Sequence, residues 1–324
     1  LDLNGKTITS DTVAFKAAIQ DGTFTIKDSK ENGKITSNNK SNLIEIKEGE
    51  LLVEGGELSN DWYVVYVYQS GKATIHGGTL VSDVASAVST NGSAAGQENY
   101  SGKAVITITG GEVKSTRDVA VYLPAGTLNI SGGKITGATA VYCKAGTTKI
   151  TGGEITGTGA KAEFVHSNNG CSATGDAIVI EACSYPNGNP AFEISDGKVI
   201  SEYADAIGSY EVASNVAEKL EVSGGEYSSS VAEYVVDSLN AELHKSSGEA
   251  PYSYYTSVEN AIEAASANDT VTYLNADASD DTFTVTLNYN DEKTPKVEYP
   301  GYTADNNSFE FPTASRSGYT FLGW

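Results

Sequence analysis

Methionine is absent from the 324 residues, and cysteine, histidine and arginine are scarce, with three, three and two residues. No apolar run approaches the roughly 18 residues that a membrane-spanning helix needs, so we predict no membrane span. The first residue already lies inside a sequence repeat, and no methionine precedes it, so we expect the chain to belong to a longer precursor. The lack of a signal peptide therefore does not predict a cytoplasmic location.

The few cysteines and histidines predict no metal site. No CxxC pair is present, and the three histidines lie far apart in the sequence, at His76, His166 and His244. Metal-binding motifs usually bring such residues together at short, fixed spacing. Cys171 and Cys183 flank a segment rich in small residues, and either a disulfide or two free thiols fits the sequence. Cys143 follows an apolar strand segment, so we expect it to be a buried thiol.

Positive charge is in deficit, because 42 Asp and Glu residues outnumber 21 Lys and Arg residues and give a net charge of -21. Nucleic acids and anionic membranes would repel such a chain, so we exclude both as partners. An extracellular setting suits this acidity better. We expect a monomer whose partners, if any, are glycans or host surface proteins.

Glycine is abundant, with 34 residues, and many of the glycines recur in one short phrase. The phrase has apolar residues, Ser or Thr, a Gly-Gly pair, a charged residue and another apolar residue. It occurs seven times, as LLVEGGEL (51–58), ATIHGGTL (73–80), ITITGGEV (106–113), LNISGGKI (128–135), TKITGGEI (148–155), FEISDGKV (192–199) and LEVSGGEY (220–227). Looser copies at 1–8 and 24–35 extend the repeat to the start of the chain.

The repeat unit is about 22 residues long, with insertions between some copies. It has room for three short strands and their turns, and it shows no helical periodicity. We therefore predict an all-β fold, a right-handed parallel β-helix solenoid of about 22 residues per turn, over residues 1–250. The architecture resembles that of the pectate-lyase-like superfamily.

Aligned copies of the phrase give columns of like residues. The apolar column before the glycines should face the interior, and it contains Val53, Ile75, Ile108, Ile130, Ile150, Ile194 and Val222. The column after the glycines alternates in charge from Glu112 to Glu226, and we expect ion pairs between neighbouring turns there.

Beyond the solenoid, residues 251–281 and 282–324 read as two further units. Ser257 is a candidate N-cap for a short helix with apolar residues at Val258, Ala261, Ile262 and Ala265, and a strand follows. This helix and strand would cover the open end of the solenoid. The acidic linker at 275–281 offers oxygen ligands without the spacing of a known calcium loop, so Ca2+ is the only cofactor we consider.

The tail contains the motif PTASRSGYTFLGW at 312–324, in which Gly318, Tyr319, Phe321, Gly323 and Trp324 stand out. It resembles the end of the Listeria-Bacteroides repeat, the internalin B-type repeat of bacterial surface proteins. The likeness covers about 43 residues and departs from the family pattern where NYNDEKT replaces a Gly-Gly. It implies a small β-grasp-like module in a secreted or cell-wall protein of a bacterium. Formulaic phrases such as LDLNGKTIT resemble those of Gram-positive gut bacteria.

Aromatic residues crowd one strand, DWYVVYVYQ at 61–69, and the equivalent strands VAVYLP and TAVYCK also carry tyrosine. Aligning them on the following glycines, Gly71, Gly126 and Gly146, places Val67, Tyr122 and Tyr142 in one column. If the column faces outward, it is a strip for stacking sugar rings; if it faces inward, it is core. The candidate ligand-binding residues are Trp62, Tyr63, Tyr66, Tyr68, Tyr122 and Tyr142.

Three segments interrupt the repeat, and we call them the first insertion (90–103), the second insertion (156–175) and the third loop (184–191). Loops added to a rigid solenoid are where binding usually develops. We therefore expect any function to lie in these segments and in the aromatic strand, since every position of the repeated phrase has a structural role.

Three functions remain open. The first is a non-catalytic, adhesin-like or glycan-binding segment of a secreted or cell-surface protein. The second is a polysaccharide lyase or glycoside hydrolase, which needs converging carboxylates with an Arg or Lys. Arg117 beside Asp118 is the candidate for such a pair within the repeats, although we favour an exposed surface ion pair as its explanation. The third function is a purely structural stalk.

Overall fold

The computed structural model describes residues 1–10, 17–38, 40–274, 283–288 and 294–302. In chain order its strands are β1 (Thr7–Ser10), β2 (Ala17–Ile19), β3 (Thr23–Ile26), β4 (Lys34–Ser37), β5 (Ile44–Ile46), β6 (Glu50–Val53), β7 (Glu57–Asn60), β8 (Val65–Val67), β9 (Lys72–Ile75), β10 (Thr79–Ser82), β11 (Val88–Thr90), β12 (Val105–Ile108), β13 (Glu112–Ser115), β14 (Val119–Leu123), β15 (Thr127–Gly137), β16 (Thr139–Cys143), β17 (Gly146–Gly157), β18 (Ile178–Ala182), β19 (Pro190–Ser201), β20 (Ile207–Glu211), β21 (Lys219–Val222), β22 (Glu226–Tyr227), β23 (Ala241–His244), β24 (Tyr252–Tyr255), β25 (Thr270–Tyr273), β26 (Phe283–Leu287) and β27 (Lys296–Tyr302). The helices are a short 3-10 helix (Ala232–Tyr234) and α1 (Val258–Ala264).

The described part of the chain is all-β, with 48% strand and 4% helix, and its strands pair mostly in parallel. An eight-stranded parallel sheet contains β2, β5, β8, β11, β14, β16, β18 and β20. The larger sheet contains two parallel stacks, one ending at the glycine corners and one starting after them. The long strands β15, β17 and β19 run through the corner and belong to both. This arrangement is compatible with a β-helix-like fold.

The predicted apolar column is confirmed. Its members pair in register from one strand to the next, from Val53 with Ile75 through to Ile194 with Val222. Each side chain in the column is at most 1% exposed. Parallel strands bury ladders of β-branched side chains in this way, because strands lie about 4.8 Å apart and equivalent residues stack directly.

The charged column has the predicted register, but it forms fewer cross-strand ion pairs than its alternating signs suggest. Lys134 Nζ lies 3.1 Å from Glu154, its neighbour in the column. Lys198 turns instead to Glu249, at 2.9 Å, in the segment between β23 and β24. Because these groups are exposed, solvent screens both ion pairs and each contributes little to stability.

The parallel stacks of the repeats end at β22, which pairs antiparallel with β24. Helix α1 starts as predicted: Ser257 Oγ accepts the Asn260 N–H at 3.2 Å, and Val258 and Ala261 are buried. These two side chains share an apolar cluster with Leu287 and Val297 of the tail strands. The boundaries proposed at 250 and 281 stay predictions. The acidic linker at 275–281 and the motif at 312–324 lie outside the described residues.

Among the described residues, no helix is both long and apolar enough to cross a membrane. Cys143 is fully buried, as expected. Cys143, Cys171 and Cys183 are free thiols in the structure.

The glycine corners explain why the phrase needs its second glycine. Gly111 has φ +72°, and a Cβ built there would lie 2.6 Å from the carbonyl oxygen of Gly78 in the neighbouring turn. Only glycine accepts both the left-handed backbone and this close approach.

We predict that Gly111→Ala lowers the stability of the chain by about 1–3 kcal/mol, since it combines backbone strain with a backbone clash. The control is Gly96→Ala: Gly96 has φ +88° but no atom within 4 Å of the added Cβ. Thermal and urea unfolding of both variants measure the difference. Equal unfolding midpoints would show that the close approach at the corner adds nothing.

Candidate functional site

The outward face of the eight-stranded sheet carries a column of tyrosines. Tyr66 pairs with Ser89, Ser89 with Tyr122, and Tyr122 with Tyr142. The predicted column was therefore wrong in its first member: Val67 pairs with Thr90 and is buried in the core. Tyr66 takes its place, because the turn after β8 is one residue longer than the turns after β14 and β16.

Two of the predicted binding residues are covered. Tyr122 is 5% exposed and Tyr142 is fully buried, with their rings 5.9 Å apart in an edge-to-face contact. Cys171 and Ala173 of the second insertion pack against them. The column thus faces away from the main core, but the insertion converts this part of it into a second, smaller core.

The other four predicted residues remain partly exposed and form a continuous series of ring contacts. Centroid distances are 5.3 Å from Trp62 to Tyr63, 4.8 Å from Tyr63 to Tyr66 and 4.7 Å from Tyr66 to Tyr68. Tyr63 and Tyr66 lie where this series meets the insertions. Trp62 and Tyr68 extend the series on either side.

A cleft of about 230 Å³ opens at this junction, and we call it the tyrosine cleft. All three interrupting segments contribute to its wall. Its lining consists of Tyr63, Tyr66, Asn91, Gly92, Ser93, Tyr122, Pro124, Asn169, Gly170 and Tyr185. The insertions and the aromatic strand, in which we expect any function to lie, come together at this cleft. Binding itself remains a prediction.

Hydrogen bonds hold the walls of the cleft in place. Asn187 Nδ2 donates to the carbonyl oxygens of Gly92 and Ser93, each at 3.2 Å, which ties the third loop to the first insertion. Tyr122 donates its hydroxyl to the Gly170 carbonyl at 3.2 Å, which ties the sheet to the second insertion. Asn91 Nδ2 contacts the Tyr66 hydroxyl at 3.3 Å.

The lining of the tyrosine cleft is uncharged. Burial raises the pKa of Tyr63 to about 12, and burial also raises the pKa of Tyr66 above its usual value. Both phenols are therefore neutral at physiological pH. The described residues that line the cleft include no Asp, Glu, Lys, Arg or His. Rings, amides and hydroxyls are what the cleft offers to a ligand.

Beneath the second insertion lies a buried ion pair that the sequence analysis did not single out. Lys144 and Glu181 are both fully buried, with Nζ 3.2 Å from Oε2. The Tyr142 hydroxyl donates to the same carboxylate oxygen at 2.5 Å. Glu181 and burial together raise the pKa of Tyr142, with burial the larger cause.

Lys144 also joins the second insertion to the third loop. Its ammonium donates to the carbonyl oxygens of Ser167 and, at 2.9 Å, Gly170. The ammonium lies 4.8 Å from the centre of the Tyr185 ring, a cation–π contact. Gly170 and Tyr185 both line the tyrosine cleft, so this one side chain supports two of its walls.

One cluster of the described residues could hold a metal ion: His166, Glu181 and Cys183, whose ligand atoms lie within 4.8 Å of one another. Burial, the main cause, raises the pKa of the Cys183 thiol to about 11. Calcium prefers six to eight oxygen ligands, which this set does not supply. The expectation of Ca2+ at the acidic linker concerns residues outside the described part of the chain and stays a prediction.

A larger groove of about 570 Å³ lies on the outer face of the post-glycine stack. Lys134, Glu154 and Glu249 line it, together with Tyr203, whose ring is on the surface with 65% exposure. The lining mixes charges of both signs. It is thus a different kind of surface from the tyrosine cleft.

Sequence reasoning located the insertions but missed Tyr185, Asn187, Lys144 and Glu181. The available signal was the loop SYPNGNPA, which contains the first two of these residues. Lys144 and Glu181 gave no local signal, because they are charged residues in strand-like surroundings and meet only across 37 residues of sequence.

No protein-family model, curated protein or solved structure matches this chain. The resemblance of residues 312–324 to the Listeria-Bacteroides repeat therefore rests on its sequence motif alone.

We predict that Lys144→Met destabilises the protein by about 3–5 kcal/mol, because it leaves the Glu181 charge buried without its partner. Thermal unfolding measures the loss, and hydrogen exchange should show faster exchange across the second insertion. The matched control is Lys149→Met, which removes an exposed pair with Glu193 at 3.5 Å and should cost at most about 1 kcal/mol.

The double variant Lys144→Met, Glu181→Leu removes both charges and should recover part of the stability. If Lys144→Met and Lys149→Met unfolded at the same temperature, the buried pair would have no special role in holding the insertion.

Proposed function

We propose that this chain is a non-catalytic, adhesin-like, glycan-binding segment of a secreted or cell-surface bacterial protein. In this proposal residues 1–250 form a right-handed parallel β-helix with turns of about 22 residues, and the host is a Gram-positive bacterium. Three parallel stacks of strands in constant register support the helix. The resemblance of the tail to a surface-protein repeat supports the location.

The tyrosine cleft is the observation that carries the binding proposal. The C–H face of a sugar ring is apolar and packs on aromatic rings, while its hydroxyls bond to amides and hydroxyls. Tyr63, Tyr66 and Tyr185 supply rings at the cleft. Asn91, Ser93 and Asn169 supply hydrogen-bonding groups beside them.

The charge of the chain narrows the class of glycan. A net charge of -21 disfavours association with polyanionic polysaccharides, and the cleft contributes no cation among its described lining residues to offset it. Neutral glycans with several exposed pyranose faces fit this electrostatic setting. The partly exposed rings of Trp62 and Tyr68 would lengthen the binding surface beyond a single sugar.

The enzyme alternative depends on converging carboxyl groups, which in glycosidases lie about 5–9.5 Å apart. Arg117, its candidate in the repeats, forms an exposed ion pair with Asp83 at 2.6 Å. Burial raises the pKa of the neighbouring Asp118 above its usual value. Neither residue lines the tyrosine cleft. These placements favour binding over hydrolysis as the proposal to test first.

We predict that a glycan array probed with the full chain shows binding to neutral glycans, and that Tyr66→Ala weakens it at least tenfold. Tenfold corresponds to about 1.4 kcal/mol, the scale of one lost ring contact. The control is Tyr203→Ala, which removes the exposed ring of the larger groove and should leave the affinity unchanged. Isothermal titration with the best array ligand measures both variants.

Each other outcome contradicts the proposal in a specific way. Loss of binding only in Tyr203→Ala would move the site to the larger groove. New reducing ends or unsaturated products after incubation with polysaccharides would establish the enzyme. An array without any bound glycan would favour the structural stalk.

A further inference from the structure

The end of strand β18 and the second insertion bring together three side chains with different donor atoms. Glu181 and Cys183 are two residues apart in the sequence, and His166 reaches them from the insertion that crosses the sheet. One ligand atom from each lies within 4.8 Å of the other two. Glu181 is fully buried, whereas the side chain of His166 is 30% exposed and open to solvent.

His166 is held between two polar partners. Its Nδ1 lies 2.5 Å from Glu181 Oε1, and its Nε2 lies 3.1 Å from Asn168 Oδ1. These two contacts fix the orientation of the ring and turn one of its nitrogens toward the buried carboxylate.

We propose that His166 Nδ1, Glu181 Oε1 and Cys183 Sγ form a Zn2+ site with one open coordination position. Zinc takes nitrogen, oxygen and sulfur ligands in a tetrahedron, and three protein ligands with a free position are common for it. Such a tetrahedron needs ligand atoms about 3.3–3.8 Å apart. His166 Nδ1 and Glu181 Oε1, now 2.5 Å apart, would have to separate by about 1 Å to reach that spacing, and His166 lies on a loop.

The surroundings of the cluster match those of a metal site. Ligating histidines usually bond their second nitrogen to a fixed partner, the position that Asn168 occupies here. The second oxygen of Glu181 is held by the Tyr142 hydroxyl at 2.5 Å and by Lys144 at 3.2 Å. These contacts orient the carboxylate and leave its first oxygen facing His166.

Glu181 answers the objection that Lys144 would repel a cation, because Oε2 of its carboxylate faces Lys144 while Oε1 faces His166. Zn2+ would displace the thiol proton of Cys183 to solvent, and His166 Nδ1 would bind through its lone pair with the ring proton on Nε2. The Cys183 thiolate and the Glu181 carboxylate then offset the two charges of Zn2+.

A metal at this place would connect the second insertion to the end of β18, directly before the third loop. Both segments form walls of the tyrosine cleft, through Gly170 and Tyr185. Zinc would thus hold two walls of the tyrosine cleft in place. The zinc proposal stands on its own geometry and does not depend on glycan binding.

The test strips the full chain with a chelator, titrates it with Co2+ as a spectroscopic substitute for Zn2+, and then adds Zn2+. We expect one equivalent of Co2+ to bind with a near-ultraviolet thiolate-to-cobalt charge-transfer band, which Zn2+ then abolishes. Cys183→Ser should lose the band and His166→Gln should weaken Co2+ binding at least tenfold. The control Cys171→Ser changes a cysteine outside the cluster and should keep the band.

His166→Gln also guards against misfolding, since His166 is a partly exposed loop residue whose replacement leaves the core intact. The proposal is overturned if Co2+ gives no thiolate band with the unaltered chain. It is also overturned if the band persists in Cys183→Ser, if it disappears in Cys171→Ser, or if His166→Gln binds Co2+ as tightly as the unaltered chain.

Discussion

Direct stacking of equivalent residues in parallel strands is the constraint on which the rest of this structure depends. Each strand lies in register with its neighbour, so every isoleucine or valine of the column before the corner glycines meets another isoleucine or valine. The corner glycines make this possible, because at Gly111 the neighbouring backbone comes too close for any side chain. A slip of one residue would turn every inward side chain outward. The apolar side chains of this chain therefore stay buried only as long as the strands stay in register.

The fixed register also determines where extra residues go. Glu112 pairs with Lys134 and Glu154 pairs with Lys198 in the same alignment, although the second pair is twice as far apart in sequence. The additional residues must leave the stack as loops. Both insertions and the third loop leave the stack of strands next to the eight-stranded sheet. There Asn187 joins the third loop to the first insertion, and Lys144 bonds to the second insertion. The tyrosine cleft thus follows from keeping the register through repeats of unequal length.

Much of the fold could be predicted from the sequence because the repeat is local and periodic. The apolar column, the helix after Ser257 and the buried Cys143 all follow from patterns within a few residues. The tyrosine column was misaligned at Val67 because the turn after β8 contains one more residue, and Gln69 there has φ +51° without being glycine. The length of a turn between two strands leaves no periodic signal in the sequence. The alignment on Gly71 was therefore right for the strand after it, but it was wrong by one residue for the strand before it.

The candidate site could be predicted less well, because its residues come together from distant parts of the sequence. Two of them, Lys144 and Glu181, are charged residues in the interior, where charged residues are not expected. Burying Lys144 and Glu181 costs several kcal/mol of desolvation per ion, and a pair of apolar residues would stabilise a strand end as well or better. The pair has another effect that apolar residues lack. The carbonyl oxygens of Ser167 and Gly170 point into a buried space, and Lys144 supplies the donors that they need. A loop of irregular backbone can pack on a sheet without water between them only if the buried carbonyl oxygens of the loop accept hydrogen bonds. The ion pair is therefore best understood as the means by which an irregular insertion is fixed onto a regular stack, and the cleft beside it as the result.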